Sequence, residues 1–130
     1  MCSSDLGVAK LIQWHAPSED LSPFFKQAHC YLSTSRWEGM PLAVLEAMSY
    51  GVPIVASAVV GNKDLVEHGK TGFLYSRKSP KEAVDQILDL SQSEALRTSM
   101  GNSAREIVEE LFSEKLMIKR TKETYNQLIE

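Results

Sequence analysis

Apolar residues recur along this chain in two rhythms. Short unbroken runs at residues 8–14, 30–33, 53–57 and 72–75 suit buried strands. Between and after them, apolar positions fall at helical spacing. Pro17, Ser18, Glu19 and Asp20 are turn and cap residues, and Leu21, Phe24, Phe25 and Ala28 then form an amphipathic stripe over residues 21–28. Gly39 breaks the chain, Pro41 suits a first helical turn, and a helix is expected over 42–50, closed by Gly51. Residues 64–68 read as a helical turn stopped by Gly69, with Gly72 opening the last strand. Ser79-Pro80-Lys81-Glu82 has the layout of a capping box, and Ala83, Val84, Ile87, Leu88 and Leu90 continue it as one helical face. Two further helices follow. One runs through Leu96, Met100, Ala104, Ile107, Val108 and Leu111; the other, about 113–130, is capped by Ser113 and carries Leu116, Tyr125, Leu128 and Ile129.

Strands alternating with helices predict an α/β fold, a Rossmann-like doubly wound parallel sheet with a helical C-terminal region. Ligands of such sheets bind at the carboxyl ends of the strands, which directs attention to residues 34–40 and 58–63.

At 130 residues the chain suits one domain with a hydrophobic core. Apolar residues at 43% and charged residues at 24% are ordinary globular usage, so disorder is disfavoured. A net charge of −3 provides no broad positive field, and no nucleic-acid partner is expected. Cys2 and Cys30 stand apart, and His15, His29 and His68 have no ligand spacing, so neither a disulfide framework nor a metal site is expected. No run approaches the roughly 20 apolar residues of a membrane span, and no signal peptide is evident, which together suggest a cytoplasmic protein.

The loop from Ser33 to Pro41 leads into a helix N-terminus, where unpaired N–H groups and the helix dipole favour phosphate. Pro41 has no N–H, which leaves Gly39, Met40, Leu42 and Ala43 as donors. Glu38 and Glu46 are eight residues apart. Along a mostly helical segment that is roughly 12 Å at ~1.5 Å per residue, too far for a shared proton. A glycosidase pair, at about 5 to 5.5 Å in retaining enzymes, is disfavoured. Two separated carboxylates suit hydroxyl pairs at the two ends of one long ligand with a diphosphate between; alternatively, Glu46 is an ordinary exposed helix residue.

The segment Glu38-Gly39-Met40-Pro41-Leu42-Ala43-Val44-Leu45-Glu46-Ala47-Met48 resembles the E-x7-E signature of the group one family of retaining glycosyltransferases, which have the two-domain GT-B fold. Gly51-Val52-Pro53-Ile54-Val55-Ala56-Ser57 and Glu67-His68-Gly69-Lys70-Thr71-Gly72-Phe73-Leu74 are similar to the next two family blocks, in order. The resemblance implies that residues 8–130 form the C-terminal, nucleotide-sugar-binding half of such an enzyme, incomplete at its N-terminus. It implies a catalytic role for Glu38 at the donor sugar and donor contacts from Gly39, Met40, Pro41 and Leu42. Glu46 would hold the nucleotide ribose. The base would lie along Gln13, Trp14 and His15, mostly on backbone groups, although the bulk of Trp14 favours a place in the core. Gly61-Asn62 and Asp64 depart from the family's usual glycine pair and glutamate.

The implied parent activity is hexosyl transfer from a nucleoside-diphosphate sugar with retention of configuration, metal-independent and without a bound cofactor. A polysaccharide precursor, a glycolipid precursor and a small metabolite would all suit as acceptor, and a membrane-associated one would put the full-length protein at the inner face of the membrane. The family's acceptor-binding N-terminal domain and its upstream glycine turn, arginine and lysine have no counterpart in this sequence, so the isolated chain is expected to be inactive. Residues 1–7 are expected to be a non-native or disordered leader, because Met-Cys-Ser-Ser-Asp-Leu resembles translated sequencing-adapter DNA. Two other readings stay open. One is a nucleotide-sugar epimerase of the same fold. The other is a non-catalytic binding or interaction module using Lys115, Lys119, Arg120 and Lys122, although those bases alternate with Glu114 and Glu123 as on a solvated helix face.

Overall fold

Three strands, β1 (Tyr31–Ser33), β2 (Ile54–Ser57) and β3 (Gly72–Tyr75), pair in parallel in the order β1-β2-β3. The structure, a computed structural model, describes residues 7–129. Residues 1–6, and with them Cys2 and nearly all of the expected leader, lie outside the described residues, as does Glu130. The register sets Tyr31 opposite Ile54 and Ile54 opposite Gly72, so the strand ends are level and the loops after β1 and β2 emerge side by side.

Every residue of β2 is buried, because helices cover both of its faces. Side chains alternate across the pleat, and the two faces accordingly feed two cores. Ile54 and Ala56 pack with Phe25, Val44, Ala47 and Met48. Val55 packs with Tyr75, Ala83, Leu90 and Met100. The first core is covered by α1 (Ser22–Gln27), α2 (Leu42–Ser49) and α3 (Val60–Leu65), and the second by α4 (Pro80–Gln92). The long α5 (Glu94–Leu111) contributes Met100 to one core and Ala104 to the other.

The crossing of α2 and α5 depends on two glycines. Gly51 closes α2 at φ 70°, and a Cβ on Gly101 would collide with the Gly51 carbonyl oxygen. Arg105 completes the junction by donating from Nη2 to the Tyr50 carbonyl at 3.1 Å. The final helix, α6 (Glu114–Ile129), has no buried residue; Met117, Ile118, Tyr125, Leu128 and Ile129 are all exposed on it. No helix among the described residues is long and apolar enough to cross a membrane.

Four expectations require correction. No strand forms at residues 8–14: Ala9–Leu11 is a 3-10 turn, and the segment lacks a paired neighbour to take up its backbone groups. Trp14 is 84% exposed and belongs to no core. The helical turn expected at 64–68 lies earlier, as α3, because Val66 is extended and residues 67–71 form a turn in which Glu67 O accepts from the amides of Lys70 and Thr71. Ser79 makes no side-chain cap; Glu82 instead accepts from the Ser76 amide at 2.9 Å, closing the loop ahead of α4.

Met48 is fully buried at the centre of the first core. Met48→Ala should therefore cost about 2–5 kcal/mol in urea unfolding, whereas exposed Met117→Ala should cost under about 0.5 kcal/mol.

Candidate functional site

The loop between β1 and α2 carries Glu38 and is tied down from both neighbouring strands. Ser57, at the end of β2, donates from Oγ to the Ser35 carbonyl at 2.6 Å. The Gly61 amide donates to the Glu38 carbonyl at 3.1 Å. From β3, the Tyr75 hydroxyl reaches the Ser33 carbonyl at 3.3 Å, and just beyond it Arg77 Nη1 donates to the Arg36 carbonyl at 3.2 Å. Asn62 is fully buried behind this arrangement. Its Nδ2 donates to the Ser57 carbonyl at 2.9 Å, and its Oδ1 has no partner.

Gly61 makes the approach of the two loops possible. A Cβ there would collide with the Gly39 carbonyl and lie 2.7 Å from that of Glu38. Gly39 is the opposite case, since a Cβ on it would meet nothing within 4 Å. Packing within the chain therefore explains the glycine at position 61 and leaves open space over position 39.

Glu38 is half-buried, and its Oε1 accepts a charge-assisted hydrogen bond from Ser35 Oγ at 2.6 Å, which fixes the carboxylate in one orientation. Pro41, buried, sits at the N-cap of α2, and its carbonyl accepts from both Val44 and Leu45. Among the described residues, the amides of Gly39, Met40, Leu42 and Ala43 donate to no protein acceptor. They form the positive end of a helix without a side-chain cap. Met40 and Leu42 are exposed and, with Leu45, Phe112 and Met117, line an apolar groove of ≈ 460 Å³ against the turn between α5 and α6.

Glu46 is exposed on the second turn of α2, while Glu38 lies in the loop ahead of the helix, so only half of the interval between them is helical. Tyr31 senses both carboxylates. Burial pushes its phenol above the usual tyrosine range, and the charges of Glu38 and Glu46 push it further the same way. His15 stands elsewhere: its ring meets the edge of Phe24 at 4.6 Å, and with Gln13, Pro23 and Gln27 it lines a cleft against α1 that no residue of the Glu38 loop enters. Trp14 lines none of these clefts. The structure thus brings Glu38, Gly39, Met40, Pro41, Leu42 and Glu46 together and leaves Trp14 and His15 apart. Ser35, Ser57 and Tyr75 were not foreseen, although small polar residues at two strand ends were the available signal. Among the described residues no group of three His, Cys, Asp or Glu side chains converges.

The family model described as glycosyl transferases group 1 matches residues 3–107. An uncharacterized glycosyltransferase of Haemophilus influenzae is 35% identical over 101 residues, covering 77% of this chain and 29% of its own length. N-acetyl-alpha-D-glucosaminyl L-malate synthase of Bacillus anthracis is 34% identical over 100 residues, covering 76% of this chain and 26% of its own. S. aureus TarM, solved as a variant with Fondaparinux, alpha-GlcNAc-glycerol and UDP, superposes with a TM-score of 0.88 at 25% identity, over 95% of this chain and 25% of that one. The chain therefore spans under a third of the length of these three relatives.

Gly61→Ala should displace the Glu38 loop, seen as amide NMR shifts across residues 35–40. Gly39→Ala should leave the fold unchanged, since its methyl group enters open space. The raised Tyr31 phenol gives a pH dependence. Folding favours the protonated phenol, so its contribution to stability is complete below about pH 10 and declines as pH rises through the raised value. In ring NMR titrations, Glu46→Gln should lower the Tyr31 midpoint without removing the part due to burial.

Proposed function

The chain belongs to the glycosyl transferases group 1 family, and on that premise we propose that it is the donor-holding part of an enzyme that transfers a sugar from a nucleoside-diphosphate sugar to an acceptor hydroxyl. The observation that carries this reading is the row of unpartnered amides at Gly39, Met40, Leu42 and Ala43, set between Glu38 and Glu46 in the E-x7-E spacing. Free N–H groups at a helix N-terminus bind a diphosphate without a positively charged side chain. Glu46, one turn along, accepts hydrogen bonds from the ribose hydroxyls. Glu38, held by Ser35, accepts from the hydroxyls of the sugar, and Pro41 sets the turn that aims the amides. Trp14 and His15 take the base once a donor draws their segment towards the loop. The occurrence of UDP in the TarM complex supports a uridine donor for this fold.

In the proposed reaction the bond between the anomeric carbon and the diphosphate oxygen breaks, and its electron pair leaves with the nucleoside diphosphate. The acceptor oxygen bonds to that carbon with retention of configuration and passes its proton to the departing diphosphate oxygen. Catalysis is then positioning plus stabilisation of the leaving group, and neither a metal nor a bound cofactor is part of the reading. An acceptor-binding domain supplies the opposite wall of the active site.

Calorimetric titration with UDP and GDP tests the donor site. Wild-type chain should bind one of them, and Glu46→Ala should weaken that binding about tenfold or more, the range for a lost hydrogen bond to a charged group. Equal affinities would remove the role given to Glu46. A folded chain that binds neither nucleotide would overturn a preformed donor site.

A further inference from the structure

Arg36, Trp37 and Glu38 on one side, and Val59, Val60 and Lys63 on the other, enclose a cleft of ≈ 280 Å³ between the loop after β1 and the start of α3. None of residues 39–43 lines it, nor does Glu46. It therefore reaches Glu38 from the β2 side, away from the α2 amides assigned above to the donor diphosphate.

Its lining is unusual in three ways. Trp37 is 85% exposed, although tryptophan is on average a highly buried residue. A loose loop does not explain this, because the carbonyls of Ser35 and Arg36 on its N-terminal side are tied to Ser57 and Arg77. Arg36 and Lys63 bring two positive charges to the same small cleft, and among the described residues neither pairs with a carboxylate. Glu38 uses Oε1 for Ser35, and among the described residues its Oε2 has no hydrogen-bond partner. An indole face offers an apolar platform, a guanidinium offers a fork suited to phosphate, and an ammonium adds a point charge. The volume falls just under the ~300–1,000 Å³ of most small-molecule sites, which limits the occupant to about one sugar ring.

We infer that this cleft is an acceptor subsite for a phosphorylated monosaccharide unit, with the ring on Trp37 and the phosphate between Arg36 and Lys63, beside the Glu38 that holds the donor sugar. Naming the ligand an acceptor rests on the proposed transferase reading; the binding chemistry does not. The donor's own diphosphate is the other possible source of phosphate, and the test separates the two.

The indole N–H signals of Trp37 and Trp14 are followed by NMR, with Trp37→Phe assigning them, while the full chain is titrated with glucose 6-phosphate, glucose or inorganic phosphate. Glucose 6-phosphate should shift the Trp37 signal saturably and the Trp14 signal not at all. It should bind at least about tenfold more tightly than glucose or phosphate alone, and Arg36→Gln or Lys63→Gln should each weaken it several-fold. Saturating UDP should leave that affinity in place, and neither variant should change the affinity for UDP. Equal binding of glucose would overturn the anionic subsite, and equal binding of phosphate would overturn the sugar. Displacement of glucose 6-phosphate by UDP would return the cleft to the donor. If UDP binds through Glu46 and glucose 6-phosphate does not bind, this inference fails alone. If the reverse holds, the cleft stands as a sugar-phosphate site and the donor reading fails.

Discussion

A loop that carries a functional carboxylate has to satisfy its own backbone before it can hold anything else, and in this chain it does so through its neighbours. The carbonyls of Ser33, Ser35, Arg36 and Glu38 are taken up by Tyr75, Ser57, Arg77 and the Gly61 amide, all from segments that follow it in sequence. This accounting of backbone acceptors explains several features at once. The parallel register sets the strand ends level, β2 ends in a serine, and α3 begins where a residue without a side chain can touch the loop. The carbonyls are spent inward and the amides of Gly39, Met40, Leu42 and Ala43 are left without a protein acceptor, giving one loop a satisfied side and a receptive side.

The polarity of that loop also gives meaning to Glu38 and Glu46. They differ in environment: Glu38 is half-buried and anchored by Ser35, while Glu46 stands in solvent on a helix. A rigid acceptor and an adjustable one suit the two ends of an extended ligand, since position matters most near the reacting carbon. The groove beside Met40 and Leu42 and the cleft beside Arg36 and Lys63 share no lining residue.

The sequence revealed those parts of the fold that depend on local periodicity. β1, β2, β3, α2 and the long C-terminal helices fall within a residue or two of where the alternation of apolar runs and helical stripes puts them. The segment at residues 8–14 misled because an apolar run states a preference for burial and does not supply a partner strand. α3 was misplaced because its start is set by contact with Glu38 and Gly39, more than twenty residues earlier in the chain, and not by any cap or stripe of its own. The candidate site was legible as spacing, from Glu38 through Glu46, while its supports were not. Ser35, Ser57 and Tyr75 matter through hydrogen bonds made across the sheet, and no local pattern encodes those. Gly61 drew notice only as a departure from a family pattern, although sterically it is the residue on which the loop rests.

The position of α5 bears on how the molecule comes apart. Met100 is seated in the layer on one side of the sheet and Ala104, one helical turn later, in the layer on the other, while Gly101 between them is pressed against the end of α2. A helix shared in this way cannot leave one layer without opening both, so the sheet and its covering helices form a single cooperative unit, lost in one step. The final helix contributes no buried side chain to that unit. Its amides should exchange with solvent through local fraying, at a free energy unrelated to that of the rest.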